Sequence, residues 1–215
     1  MKTIFVSGTG TGIGKTYVMC SLIRALRRKG TRVAALKPVA SGVEPGDEAV
    51  SDTALILDVL GESQTKENYA RTTPFQFRAA LSPDMAAHRE GKRLVFGDVL
   101  AACRQKVNAD VLLIEGAGGI MSPIAQGRLN IELAKALSAP VLLVAGTYLG
   151  TISHTLTAFA AFKFHQLPLQ ALVLSESEIS PVPMDETAAA IKAYVSGLRM
   201  ALLPRNGALD TGILD

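Results

Sequence analysis

Near its start the chain passes from the apolar run Ile4-Phe-Val-Ser7 into Gly8-Thr-Gly-Thr-Gly-Ile-Gly-Lys15-Thr16 and then into a helical pattern. Strand, glycine-rich turn and helix in immediate succession leave few folds open. The glycines let successive backbone N–H groups converge on one anion, and the helix opening near Lys15 adds its positive end. Lys15 can reach the outer phosphates of a nucleotide, and Thr16 offers a hydroxyl to a magnesium ion. Counting back from Gly14, the general spacing falls on Thr9, and Gly8 stands one residue further out. The loop is therefore a lengthened variant of the phosphate-binding pattern, with Gly12, Ile13 and Gly14 leading into the lysine and threonine.

Further apolar runs recur at Val33 to Lys37, Val111 to Glu115, Val141 to Ala145 and Leu169 to Leu174, the last strand expected. Unbroken apolar strands imply burial on both faces. Between them lie helical patterns: Val18, Leu22, Ala25 and Leu26 on one face, then Asp52 to Leu60, Leu100 to Val107, Ile131 to Leu137 and Ile152 to Phe164. This alternation predicts an α/β fold, a parallel sheet flanked by helices on both faces. The stretch Gly42 to Asp52 reads as a loop. No repeat or linker divides the chain, so residues 1–215 are expected to form one domain.

Ligands of such sheets bind beyond the carboxyl ends of the strands. The exits to inspect are the glycine-rich loop, Lys37-Pro-Val-Ala-Ser41-Gly42, Glu115-Gly-Ala-Gly-Gly119 and Gly146-Thr-Tyr-Leu-Gly150-Thr151. Glu115 ends an apolar strand before flexible residues, where a carboxylate can face a metal or water. Asp52 follows Ser51 at a helix start, so capping competes with a ligand role. With Thr16 the two acids make a hard oxygen set suited to magnesium. Lys37 before a proline reads either as a second phosphate-facing cation or as a lysine snorkelling to the rim. No activated nucleophile with a histidine base is present, which points to positioning and charge neutralisation at phosphate.

Composition excludes other classes. At 215 residues the chain can bury a full core. Its apolar runs are too short to cross a bilayer, and its N-terminus enters a strand directly, so no cleavable signal is expected and the cytoplasm is the expected compartment. Cys20 and Cys103 each lie in a helical pattern, as reduced, packed thiols do, and three scattered histidines offer no zinc site. The net charge is only +3, and its densest patch, Arg24 to Arg32, falls where the first helix should end. Aromatics make up 5% with no tryptophan, against a nucleic-acid surface.

The lengthened loop, Lys37 to Gly42, Ser51-Asp52, Leu81-Ser82-Pro83 and Glu115 to Gly119 together resemble the dethiobiotin synthetase family in order, type and spacing, over nearly the whole chain. The resemblance implies an ATP- and magnesium-dependent ligase of the P-loop class. Such an enzyme closes a ureido ring on 7,8-diaminononanoate with carbon dioxide, giving dethiobiotin, ADP and phosphate by way of a carbamate and a carbamic-phosphoric anhydride. It implies catalytic roles for Lys37, Lys15 and Thr11, and magnesium ligation by Thr16, Asp52 and Glu115. Nucleotide contacts would come from Gly12 to Tyr17, Asp52, Glu115, Gly116, Ala117, Gly118, Ser175, Pro204, Arg205 and Asn206. Ser41 would meet the carbamate or diamine end. Gly150 and Thr151, opening a helix, would receive the distal carboxylate, as a helix N-terminus can. The family builds that tail site across a twofold axis, which implies a homodimer, although an apolar helix from Leu149 to Phe164 suits a core equally.

Three positions depart from the family pattern. Gly12 stands where an acidic residue is common, Asp84 where histidine is common, and Ser175-Glu176 where an asparagine-aspartate pair recognises adenine. Serine can supply a weaker hydroxyl contact but lacks the two-sided amide contact to a purine edge; Pro204, Arg205 and Asn206 align with the segment that frames the base in the family and are expected to take over some of that recognition. Two rivals share the loop: a P-loop amidoligase, which normally carries a glutaminase domain, and a partitioning-type switch ATPase, which normally carries a further lysine at the start of the loop.

Overall fold

The structure, a computed structural model, describes residues 1–214 other than 45 and 47. Among the described residues, ten strands and eight α-helices follow in the order β1 (Lys2–Gly8), α1 (Lys15–Arg28), β2 (Val33–Leu36), β3 (Val39–Ser41), α2 (Asp52–Leu60), α3 (Lys66–Thr72), β4 (Phe75–Phe77), α4 (Pro83–Arg89), α5 (Phe96–Cys103), β5 (Val111–Glu115), β6 (Pro123–Ala125), β7 (Arg128–Leu129), α6 (Asn130–Ala136), β8 (Val141–Ala145), α7 (Thr151–His165), β9 (Leu169–Ser175), α8 (Met184–Lys192) and β10 (Met200–Leu203). Six of the strands form one sheet in the order β10-β9-β8-β1-β5-β2, and every pairing in it is parallel.

The apolar strands serve two cores at once because their side chains alternate with a period of two. On β5, Leu112 and Ile114 enter the cluster under α5, α6, α7 and α8, whereas Val111 and Leu113 enter the cluster under α1 and α2. β8 divides in the same way, Leu143 on one side and Leu142 and Val144 on the other. α1 lays Val18, Met19, Leu22, Ile23 and Leu26 onto the second face, joined by Leu209, Ile213 and Leu214 from the end of the chain.

Several expectations change at the element level. The helix read at Leu100 to Val107 runs instead from Phe96 to Cys103, its C-cap Arg104 returning N–H bonds to Leu100 and Ala101. Only Val99 and Cys103 of that helix are fully buried, so the apolar positions after it mislead the pattern. The strand at 169–174 extends to Ser175 and is not the last, because β10 adds a parallel edge. That edge strand is Met-Ala-Leu-Leu, short, partly exposed and without β-branched residues, and so carries no strand signal. The stretch 42–52 holds a single 3-10 turn at Glu48–Val50; its positions 45 and 47 lie outside the described residues. Among the described residues no helix is long and apolar enough to cross a membrane.

Both cysteines are free and buried. Burial pushes the thiols of Cys20 and Cys103 up to about 12, so thiolate is scarce at neutral pH. The native protein at pH 8 is therefore expected to leave both unreactive toward an aromatic disulfide reagent, and guanidinium to expose both. A fast native thiol would show that α1 or α5 opens readily. Leu113→Ala, removing a fully buried side chain from the centre of the sheet, is expected to cost about 3 kcal/mol, read as a lower denaturant midpoint.

Candidate active site

Strand alternation decides which exit residues meet. Glu115 shares its side of β5 with Val111 and Leu113 and so emerges on the α1 face. Lys37 follows β2, where Val33 and Ala35 pack against that same face. The β2–β5 register places Leu36 beside Ile114, which brings the next residues, Lys37 and Glu115, side by side. α1 begins directly above them.

Glu115 is completely buried and Lys37 is 6% exposed. Lys37 Nζ donates to Glu115 Oε1 at 2.9 Å and also to Asp52 Oδ2. Thr16 Oγ1 donates to Glu115 Oε1 at 2.9 Å. Lys37 thus does not snorkel. Asp52 does not cap its own helix either: Ser51 Oγ accepts from Ala54 N–H at the start of α2, leaving the Asp52 carboxylate turned to Lys37. Burial pulls the Lys37 ammonium downward, but Glu115 and Asp52 outweigh it and hold it above the usual lysine range. Burial pushes Asp52 upward, and Lys37 with a bond from Thr16 overrides it, leaving the carboxyl below its usual range. Lys15, with no such partner bonded, is lowered to about 8 by burial despite the pull of Glu115. Its Nζ donates to Gly10 carbonyl oxygen at 2.8 Å.

The loop above this cluster needs its glycines. Gly14 caps α1 in the left-handed region at φ 90°, and a Cβ there would stand 2.5 Å from Ser175 Oγ. Conformation and space both exclude a side chain. Gly12 also sits at positive φ, with open space where a Cβ would stand. Thr11 to Tyr17, Lys37, Ser41, Asp52, Glu115, Ala117 and Gly118 line one cavity of about 600 Å³. Ser41 Oγ donates to Leu81 carbonyl oxygen at 2.7 Å, joining two of the quoted motifs. Asp84 accepts from Ser82 at the start of α4, a local contact away from this cavity.

Other candidate residues lie elsewhere. Gly116 does not line the cavity; its backbone passes so close to Asn130 and Phe5 that a Cβ would clash with both. Ser175 is buried beneath Gly14, and Pro204, Arg205 and Asn206 stand beyond it at the exit of β10. Gly150, at φ 98°, caps α7, and Thr151 Oγ1 turns inward to Gly146 carbonyl oxygen. Both line a separate apolar groove with Leu149, Ile152 and Val182. Within one chain, then, Gly150 and Thr151 line a different cavity from Lys37.

Sequence reasoning missed Asn130. It is fully buried at the start of α6, and its Nδ2 donates to the carbonyls of Ala117 and Gly119, at 2.6 and 2.8 Å. It shapes the loop after Glu115 from fifteen positions away in sequence. Its only sequence signal was an asparagine beside a helix start, which ordinarily reads as a cap.

The residues fit a magnesium ion. Glu115 Oε2 is buried with no hydrogen-bond partner, beside the Thr16 hydroxyl and the Asp52 carboxylate. These are the hard oxygen donors that magnesium takes together with phosphate.

An all-parallel sheet with a lysine-bearing glycine loop after its central strand defines a P-loop nucleoside triphosphatase fold. Two solved structures share it: the MinC:MinD cell division complex of Aquifex aeolicus (TM-score 0.55, 13% identity, 96% of this chain and 82% of that chain) and the septum site-determining protein MinD with Mg-ADP from Pyrococcus horikoshii (0.52, 19%, 95% and 82%). At these identities the likeness concerns the fold alone. The family model described as an AAA domain matches residues 2–211. Curated relatives named ATP-dependent dethiobiotin synthetase BioD are 45% identical in Caulobacter sp. K31, over 100% of this chain and 93% of the relative, and 45% identical in Methylobacterium nodulans, over 100% and 98%. The chain belongs to the ATP-dependent dethiobiotin synthetase family.

Glu115→Ala is expected to leave Lys37 buried with only Asp52 beside it and to destabilise the protein by about 3 kcal/mol, measured by denaturant unfolding. Gly14→Ala should weaken ADP binding by tenfold or about that much, since the cap conformation costs about 1–2 kcal/mol for an L residue. Calorimetric titration would reveal it, and wild-type affinity would show that the loop tolerates a side chain.

Proposed function

We propose that this chain forms dethiobiotin from 7,8-diaminononanoate, carbon dioxide and ATP; the name of its relatives gives the product and the dependence on ATP. The observation that carries the reading is the convergence of Lys15, Thr16, Lys37, Asp52 and Glu115 on one cavity that also holds Ser41. An enzyme joining a carbamate to a phosphoryl group needs fixed cations where charge develops, and this cavity has two.

In this reading the backbone amides from Gly12 to Thr16, with Thr11, hold the phosphates. Lys15 leaves the Gly10 carbonyl to meet the outer phosphate oxygens. Lys37, which lines the same cavity as Lys15 and Ser41, stabilises charge on the carbamate as its oxygen attacks the γ-phosphoryl group and displaces ADP. The second amine then closes the ring and releases phosphate. No side chain acts as nucleophile, and rate comes from alignment and charge. Thr16, Asp52 and Glu115 would hold magnesium, which neutralises phosphate charge when bound.

The continuous six-stranded sheet supports one ligase domain over residues 1–215. The separation of Gly150 and Thr151 from Lys37, together with Leu149 at 87% exposure and Phe164 at 83%, supports a homodimer whose partner subunit supplies the tail site. A biosynthetic role on small molecules supports the cytoplasm and no nucleic-acid partner. The amidoligase and switch readings are the outcomes of the test.

Purified protein incubated with diaminononanoate, bicarbonate, magnesium and either ATP or CTP should yield dethiobiotin by mass and nucleoside diphosphate in equal amount. Hydrolysis independent of the diamine would favour the switch instead. Lys37→Ala should lower product at least about a hundredfold, the scale of removing one preorganised charge. Near wild-type turnover would remove its assigned role. Asn206→Ala should weaken nucleotide binding.

A further inference from the structure

One ridge of α1 is given over to the end of the chain. Tyr17, Ser21 and Lys29 stand at multiples of four residues and so lie along one line of the helix. The Tyr17 hydroxyl is 2.5 Å from the Arg205 carbonyl oxygen, 3.0 Å from that of Pro204 and 3.2 Å from that of Gly207. Ser21 Oγ accepts from Leu209 N–H at 2.9 Å, and Lys29 Nζ donates to Thr211 Oγ1. A phenol has one proton to give, so three carbonyls gathered on it describe a turn wrapped around a donor.

The turn is gripped from its other side as well. Glu176 Oε2 accepts from Arg205 N–H at 2.9 Å, while Glu176 N–H donates to Leu203 carbonyl oxygen at 3.0 Å. Gly207 N–H closes onto Pro204 carbonyl oxygen. The β10 exit is thereby tied to the β9 exit through Glu176 and to the first turn of α1 through Tyr17. Ser175, between them, packs against Gly14 of the phosphate loop. A nucleotide whose phosphates occupy that loop lies in the crevice beyond the strand ends, where the β9 exit meets Gly14 and the β10 exit is bonded to Tyr17, three residues on.

We infer that Tyr17 and Glu176 are positioning residues for nucleotide selection, holding the Pro204–Gly207 turn as the wall against which the base rests. This deepens the proposed ATP-dependent reading and depends on it. It also explains how a chain with Ser175 in place of an amide side chain defines a base site. Recognition passes to a backbone turn with Asn206 exposed at its apex, and a turn recognises a base only while it is held still. Tyr17 sits next to Thr16, so the helical turn that brings a hydroxyl to the phosphate cavity also brings the donor that orders the turn.

The test compares ligands with and without a base by calorimetry. Tyr17→Phe keeps the ring and removes the donor; it is expected to weaken ADP about fivefold, the equivalent of one net hydrogen bond, and to leave tripolyphosphate close to its wild-type affinity. The ratio of ADP to CDP affinity should fall toward one. Glu176→Ala should act in the same direction, and Glu176→Gln, which keeps an oxygen acceptor, should restore much of the loss. Equal weakening of ADP and tripolyphosphate would assign Tyr17 to the phosphate loop itself and overturn the inference, as would unchanged ADP affinity in both Tyr17→Phe and Glu176→Ala. Wild-type protein that binds tripolyphosphate but discriminates no base would overturn it alone; wild-type protein that binds neither ligand would bring down the nucleotide reading beneath it.

Discussion

The contact on which the site depends is the buried bond between Lys37 and Glu115. An ammonium and a carboxylate at this depth each lose water, and neither is tolerable without the other. Their meeting follows from the sheet: β2 pairs with β5, and both residues leave on the α1 face. Asp52 completes the neutralisation from the first residue of α2. Charges that elsewhere would be mobile on a surface are thus fixed before any ligand arrives, which is the condition under which they lower a barrier.

The cations differ in how firmly they are held. Lys37 is locked between two carboxylates, whereas Lys15 has one neutral carbonyl and is driven by burial toward losing its proton. An anionic ligand relieves that desolvation at Lys15 and need not break the lock at Lys37. The loop that brings the anion there is shaped by close approach: Gly14 against Ser175, and Gly116 against Asn130 and Phe5. Asn130 adds two donated bonds to carbonyls of the loop after Glu115. The glycine loop, Glu115 and the strand exits therefore form one packed unit.

Much of this was legible along the chain. The glycine loop, the apolar run ending at Glu115 and the lysine before Pro38 are local patterns, and period-two burial makes strands readable wherever they are buried on both sides. What failed was what local pattern does not carry. β10 is an edge strand with weak β preference, α5 is anchored by only two fully buried residues, and Asn130 acts across the fold. Asp52 was ambiguous between cap and ligand because sequence places it at a helix start without showing that Ser51 already fills the cap.

By itself the sequence determined the class of the protein: strand, glycine loop and helix in succession permit little other than a phosphate site, because backbone conformation there is set by neighbours only a few residues away. The tertiary structure decided which distant residues share that site and which stand apart from it. Lys37, Asp52 and Glu115 meet, Gly150 and Thr151 do not, and Tyr17, at the edge of the cavity, gives its hydroxyl to the end of the chain. Such pairings depend on strand order and on the side of the sheet from which each residue emerges, and strand order is chosen by packing over the whole chain.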